Sequence, residues 1–263
     1  YLTLSVDRIQ YVFTFIGLLI VGLVISTLAS KIREQIIQRQ TEKLQTALLS
    51  SISHDLRTPL VSITGALTSL LDNNPNLSDP ARKELLETAY EESDRLNRLV
   101  GNLLDMTRME AGALKIFRKP CELRDVLGAS LEQLKEKTAS RNIDINIPRD
   151  FPEVPMDFSF IMKVFLNLID NAIKYSPSGT PIAIKAVASK DRVTIEIKDH
   201  GLGIPEGDLK RVFDKFYRVE RPEQITGTGL GLSICKGIVE AHNGEVTAQN
   251  NPDKGATFTI TIP

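Results

Sequence analysis

From Ile9 to Ser30 the chain carries no charged residue, and the stretch is dense in Ile, Leu, Val and Phe. At about 22 residues it is long enough to cross a hydrocarbon core of roughly 30 Å as one helix. A signal peptide would have a shorter apolar region and a small-residue cleavage site. A buried core helix of this length would ordinarily keep a polar face. Lys31, Arg33, Arg39 and Lys43 follow the run, while Arg8, beside Asp7, precedes it. The positive-inside rule then places the C-terminal side in the cytoplasm. Residues 1–30 are expected to form the last transmembrane segment of a sensor region, in a chain that opens at Tyr1 and reads as a fragment.

Beyond the run the pattern becomes amphipathic. Leu44, Leu48, Ile52, Leu56, Leu60, Ile63, Leu67 and Leu70 recur at steps of three or four, the stripe of one long helix. Asn73, Asn74, Pro75 and Asn76 form a turn cluster. Ser78 or Asp79 can cap a second helix with Pro80 in its first turn, and Gly112 can end it. That helix carries its own stripe: Leu85, Ala89, Leu96, Leu99, Leu103 and Met106. Two such helices cannot bury both stripes alone, but two hairpins can pair as a four-helix bundle. A homodimer is therefore expected over residues 31–114; the alternative is one hairpin packed on the domain that follows.

Composition narrows the remainder. Hydrophobic residues make up 42% and charged residues 25%, which allows an ordinary packed core. A net charge of -1 argues against nucleic acid as the main partner, since phosphate-tracking surfaces show a basic excess. Cys121 and Cys235 lie far apart, outside any CxxC pattern, and read as reduced thiols. His54, His200 and His242 show no metal-ligand spacing.

His54 stands two residues from Ile52 and two from Leu56. Two residues rotate a helix by about 200°, so His54 points away from the stripe into solvent. Alone, that is an ordinary surface histidine. Its neighbours read SHDLRTPL from Ser53 to Leu60. Asp55 can hold one ring proton and leave the other nitrogen as nucleophile. Thr58, four residues on, shares nearly the same face. Pro59 has no N–H, so the carbonyl of Asp55 loses its helical partner and a bend is expected.

After Gly112 the pattern changes again. A helix is expected over residues 123–137, with further helices over 158–175 and 230–242. Strands are expected over 143–147, 182–187, 193–198, 245–249 and 257–262. Strands separated by helices predict an α/β sandwich of one mixed sheet and one helical layer over residues 115–263. NLIDNAIKYS places Asn167, Asn171, Lys174 and Tyr175 on one helix face. Amide oxygens suit Mg²⁺ and lysine suits phosphate, although such a face is also what a solvated surface looks like. DHGLG follows at Asp199–Gly203, where glycines let backbone approach a flat ring and a carboxylate can accept from an exocyclic amine. FDKFYR ends at Arg218, and a polar stretch leads to GTGLGL at Gly227–Leu232. A glycine-rich turn opening a helix binds anions through free N–H groups. It lacks the Lys-Ser/Thr ending of a P-loop and the preceding strand of a dinucleotide fold.

SHDLRTPL resembles the phosphoacceptor box of sensor histidine kinases. The ordered set of asparagine helix, Asp-Gly turn, phenylalanine segment and glycine-rich lid resembles their catalytic domain, within the superfamily that includes gyrase, Hsp90 and MutL. The resemblance covers Ser53 to Pro263. It implies that His54 takes the γ-phosphoryl group of ATP, that Asp55 is the general base, and that Thr58 positions water for dephosphorylating a partner. It implies that Asn171, with Asn167, holds Mg²⁺. Lys174, Tyr175 and Arg218 would contact the nucleotide, Asp199 would read the adenine amine, and Gly201 and Gly203 would shape the pocket. Gly227, Gly229 and Gly231 would flank a mobile lid, and His200 carries no expected chemistry. With TITIP at the end and no receiver domain, the acceptor is expected to be a separate response regulator. The stretches YLTLSVDRIQYVFTF and FPEVPMDFSFIMKVFLNLIDNA are similar to KdpD-type sensor kinases, whose members govern potassium uptake. That similarity implies earlier spans and a large cytoplasmic region upstream. The alternatives are a non-kinase ATPase of the same superfamily and a catalytically silent membrane interaction module. SHDLRTPL argues against the first, and Asn171, Asp199 and the glycines argue against the second.

Overall fold

The structure, a computed structural model, describes residues 2–72, 77–139, 141–219 and 227–263. The turn cluster Asn73–Asn76 and the polar stretch from 220 to 226 lie outside the described residues, as do the side chains of Leu44 and Leu48. The chain divides into two compact units, Tyr1–Arg57 and Thr58–Pro263.

The first unit is helical, from the start of α1 (Leu2–Leu71). Within it Phe13–Arg33 is long and apolar enough, by length and composition, to cross a membrane; its mean hydropathy is 2.3 and none of it is buried. Phe13, Phe15, Leu18 and Leu23 present their side chains outward, more than half exposed.

The second unit begins with the end of α1 and continues into α2 (Asp79–Glu110). Ser78 is the N-cap, its hydroxyl accepting the N–H of Ala81, and Pro80 sits in the first turn, where its missing N–H costs nothing. Gly112 adopts a positive φ of 62° just past the end, and the Ala113 N–H reaches back to the Arg108 carbonyl. That is how a glycine closes a helix.

Next come β1 (Lys119–Cys121), α3 (Leu123–Gln133), α4 (Lys135–Thr138), β2 (Ile143–Asn146), β3 (Val154–Met156) and α5 (Phe158–Tyr175). The order continues with β4 (Ile182–Ala188), β5 (Val193–Lys198), two short 3₁₀ turns, α6 (Gly231–Ala241), β6 (Glu245–Asn250) and β7 (Ala256–Ile262). The main sheet has five strands in the order β2-β4-β5-β7-β6; β2 and β4 are parallel and the other pairs antiparallel. It is therefore mixed, as the sequence predicts. The helix expected over 123–137 is broken at Leu134 into two. The pairing of β1 with β3 was not legible, because each strand is three residues long and carries a proline; the prolines are tolerated on a two-stranded ribbon.

Periodicity explains the core. On β5, Val193, Ile195 and Ile197 face inward while Thr194, Glu196 and Lys198 are partly exposed. On α5 the buried residues are Ile161, Val164, Phe165, Leu168, Ile169 and Ala172, a 3.6-residue stripe. Each of these side chains except Ala172 contributes about 1.5–3 kcal/mol by leaving water. The stripe packs against α3 and α6, making one core between the helical layer and the sheet. Asp157 starts α5 by accepting the N–H groups of Ser159 and Phe160.

The end of α2 lies on this layer. Asp105 is 4% exposed and meets the ammonium of Lys163 on α5 at 2.5 Å. Glu110 pairs with Lys215 at the same distance. Met109 lies over Gly237 of α6, where a β-carbon would come within 2.6 Å of the sulfur.

Candidate functional site

The Asp-Gly turn leaves β5 and crosses the end of α5. Asp199 is 5% exposed, and its Oδ1 accepts two backbone N–H groups, from Gly201 at 2.8 Å and from Ala256 at 3.1 Å. These bonds set the plane of the carboxylate. A β-carbon at Gly201 would lie 2.2 Å from the carbonyl oxygen of Tyr175, so only glycine lets the turn pass this close to the helix. Gly203 has φ +71°, which glycine adopts without strain. His200 Nδ1 lies 3.1 Å from the Pro181 carbonyl, a contact that ties the turn to the start of β4.

The turn is met by the C-terminal end of α5. Tyr175 is 37% exposed there. Next to it Ser176 is buried, and its hydroxyl is the buried side-chain polar atom without a hydrogen-bond partner among the described residues. An orphan of this kind is what a bound water or ligand atom satisfies. Arg141 closes the helix end by donating to the carbonyls of Ile173, Ser176 and Pro177.

Asn167, Asn171 and Lys174 lie along α5. Asn167 is half-buried and turns toward α6: its Oδ1 lies 3.2 Å from where a β-carbon on Gly231 would stand. Cys235 lies against the same amide, and burial pushes its thiol up to about 12, against the weaker pull of the Asn167 bond. The thiol is therefore inert at neutral pH. Lys174 is engaged with Asp170 at 2.5 Å, and Lys137 of α4 reaches the same carboxylate at 2.7 Å. Burial acts to raise the Asp170 carboxyl, but the hydrogen bonds from Lys137 and Lys174 outweigh it and hold its pKa below the usual range.

The start of α6 meets the phenylalanine segment. The N–H of Phe216 donates to the Gly229 carbonyl at 3.0 Å, and both residues have positive φ. Tyr217 donates its hydroxyl to Asp208 at 2.5 Å, and the guanidinium of Arg211 lies 4.3 Å above the Tyr217 ring. Arg218 and Gly227 are exposed on the flanks of the stretch outside the described residues. Thus Asp199, Gly201 and Tyr175 are brought together, as are Asn167 and Gly231.

In the first unit, the side chain of His54 is 80% exposed, and its Nδ1 lies 3.5 Å from Oδ1 of Asp55. Thr58 is exposed on α1 at the start of the second unit.

Two stretches match described families. Residues 44–112 match the His Kinase A (phospho-acceptor) domain, with His54 inside it. Residues 156–263 match the histidine kinase-, DNA gyrase B- and HSP90-like ATPase. The chain belongs to the sensor histidine kinases of the two-component type. This histidine kinase is 39% identical over 229 residues to the sensor protein KdpD of Clostridium acetobutylicum, covering 86% of the chain and 25% of that protein. It is 33% identical to the adaptive-response sensory kinase SasA of a Synechocystis species, covering 90% of the chain and 63% of that protein. Among solved structures, Acinetobacter baumannii histidine kinase AdeS superposes with a TM-score of 0.62 at 26% identity, over 80% of this chain and 96% of that one. The chain thus spans about a quarter of the KdpD protein it matches.

Several residues of the kinase's site carry no local signature. Asn250, Asn251 and Gly255, from the β6–β7 hairpin, all reach the Asp199 turn. The turn-forming run NNPDKG marks a hairpin. Only the pairing of β5 with β7 brings it to Asp199.

Proposed function

We propose that this chain is the cytoplasmic kinase end of a membrane-anchored sensor, which phosphorylates its own His54 from ATP and passes the phosphoryl group to an aspartate on a response regulator. Residues 1–30 cross the membrane, 31–114 dimerise and carry the acceptor, and 115–263 bind ATP. The observation that carries the reading is the pairing of His54 Nδ1 with Asp55 on an exposed imidazole, in one chain with the Asp199 turn. With Asp55 accepting the Nδ1 proton, the lone pair on Nε2 is the nucleophile. Nε2 attacks the γ-phosphorus, the bond from that phosphorus to the β–γ bridging oxygen breaks, and ADP leaves. The ring proton moves toward Asp55. In the second step the P–N bond breaks as an aspartate oxygen of the receiver domain bonds phosphorus, and the ring takes its proton back from Asp55 to leave as neutral imidazole.

Asp199 reads the adenine amine, Gly201 and Gly203 shape the ring slot, and Lys174, Tyr175 and Arg218 contact the nucleotide. Gly227, Gly229 and Gly231 flank the lid. Mg²⁺, when bound, offsets the charge of the β- and γ-phosphates. Among the described residues there is no cluster of three His, Cys, Asp or Glu that could hold a metal. Neutral amide oxygens with substrate phosphates and waters are, however, a donor set that Mg²⁺ accepts. Asn171, with Asn167, would hold it. Exposed Leu60, Val61, Leu67, Leu86, Val100 and Leu104 supply the apolar faces of a four-helix homodimer. Thr58 and Asp55 direct a water at the phosphorylated receiver, which adds a phosphatase activity.

The deciding experiment is incubation with γ-labelled ATP. Label is expected on the wild-type chain, lost in acid and stable in base, and absent from His54→Gln, which still binds nucleotide. Acid-stable label retained on that variant would move the acceptor to a hydroxyl and defeat the reading.

A further inference from the structure

The Asp199 turn is held at both ends by one hairpin. At its start, Asp199 N–H donates to the Ala256 carbonyl at 2.9 Å, and Asn251 Nδ2 donates to the Asp199 carbonyl at 2.8 Å. Asn251 is itself oriented: its Oδ1 accepts the hydroxyl of Thr257 at 2.6 Å, and its N–H donates to the Gly255 carbonyl. Gly255 permits this contact, because a β-carbon there would stand 2.2 Å from the Asp199 carbonyl oxygen. At the far end, Asn250 Oδ1 accepts the N–H of Ile204 at 2.7 Å and Asn250 Nδ2 donates to the Ile204 carbonyl at 2.6 Å. One side chain thus makes the two-bond bridge that a paired strand residue would make.

Between these anchors lie His200, Gly201, Leu202 and Gly203. Two glycines in four residues make a segment with much conformational freedom, and Gly203 already uses a positive φ. Tied only at Asp199 and, through His200, to the Pro181 carbonyl, the turn would still pivot at Gly203. Asn250 removes that freedom, and its Oδ1 also lies 3.0 Å from the position of a β-carbon on Gly203.

We infer that Asn250 and Asn251 are positioning residues for nucleobase selection: they hold the Asp199–Ile204 turn so that the carboxylate meets an exocyclic amine in register. The inference rests on the nucleotide reading of Asp199 given above. A carboxylate accepts from the amine of adenine and repels the carbonyl oxygen that guanine places there. Such discrimination is a difference of affinities that depends on placement within tenths of an ångström. Loosening the turn erodes the preference, because a mobile carboxylate can swing aside for the wrong base.

The test uses the full chain in detergent micelles, titrated with ATP and with GTP in the presence of Mg²⁺. Asn250→Ala is expected to weaken ATP binding by about threefold to tenfold, the scale of one or two hydrogen bonds, with GTP binding nearly unchanged. The ATP-to-GTP ratio therefore falls. Asn250→Asp keeps the acceptor for Ile204 N–H but loses the donor, and its ratio is expected to lie between wild type and alanine. Thr247→Ala, on the exposed face of the same strand, is expected to leave the ratio unchanged. A ratio unchanged in Asn250→Ala, or an equal loss for both nucleotides, overturns the inference. Should the alanine variant fail to fold, the aspartate variant decides alone: a wild-type ratio overturns the inference and a reduced one supports it. A wild-type chain with no preference for ATP over GTP defeats the underlying reading of Asp199 instead.

Discussion

The Nε2 atom of His242, at the end of α6, accepts the backbone N–H of Asp157 at 3.0 Å, while its Nδ1 lies 2.8 Å from the Ile238 carbonyl. This requires the neutral ring with its proton on Nδ1. Asp157 is the residue that caps α5, and its other carboxylate oxygen accepts the N–H of Phe117. A buried imidazole therefore ties the end of one core helix to the start of another. Burial lowers its pKa, and the nearby Arg118 charge adds to that; the Ile238 carbonyl and Asp157 oppose it without prevailing. The folded state thus binds a proton less readily than the unfolded chain, whose histidine titrates near pH 6.5. Stability from this site is complete above that pH and falls as pH drops toward the folded pKa. We predict a falling thermal midpoint from pH 7.5 to 5.5, and a flatter profile in His242→Leu. Parallel profiles for the two proteins would assign the loss to other groups.

Gly201 passes within contact distance of the Tyr175 carbonyl. The obstacle is backbone, which cannot rotate away. Gly201→Ala should displace the Asp199 turn and weaken ATP binding by about tenfold or more, since a misplacement near one ångström at a positioned group has effects of that size or greater. Calorimetric titration measures it; a wild-type dissociation constant would show that the turn yields freely.

Asn171→Ala should cut phosphorylation of His54 by about a hundredfold or more, as loss of a group stabilising charge at a transferring phosphate does. Binding of nucleotide without metal should change little. Heterodimers with His54→Gln add a second readout: recovered labelling means transfer across subunits, and no recovery despite proven mixing means transfer within one. Full activity of Asn171→Ala alone would displace the proposed metal site.

Thr58 separates two activities. Autophosphorylation needs the imidazole, the Asp55 carboxylate and bound nucleotide, and nothing in that list requires a hydroxyl at position 58. Dephosphorylating a receiver domain needs a water held in line with the aspartyl phosphate, a positioning effect. Thr58→Ala is expected to keep most His54 labelling and lose most receiver dephosphorylation. Equal changes in both rates, measured on one preparation, would point instead to a hydroxyl that only bonds back to a helix carbonyl.

Local chemistry made much of this protein legible from its residues. The alternation of Val193, Ile195 and Ile197 fixes a half-buried strand, and the stripe from Ile161 to Ala172 fixes a helix face, because side-chain period follows backbone geometry. The uncharged run, the Ser78 cap, Gly112 past the end of α2 and the motif around His54 are likewise readable in order along the chain. Pairing was not. Lys174 meets Asp170 one turn away on α5 itself, but the second lysine on that carboxylate, Lys137, depends on α4 returning beside α5. The contact of Met109 with Gly237 and the ion pair of Asp105 with Lys163 depend on where the end of α2 comes to rest. The hold of Asn250 and Asn251 on the Asp199 turn exists because β7 pairs with β5, which brings residues some fifty positions apart within hydrogen-bond reach. Periodicity and motif act over a few residues, so the sequence determined the elements and the reactive groups. Long-range packing chose which side chains meet, and the tertiary structure alone decided it.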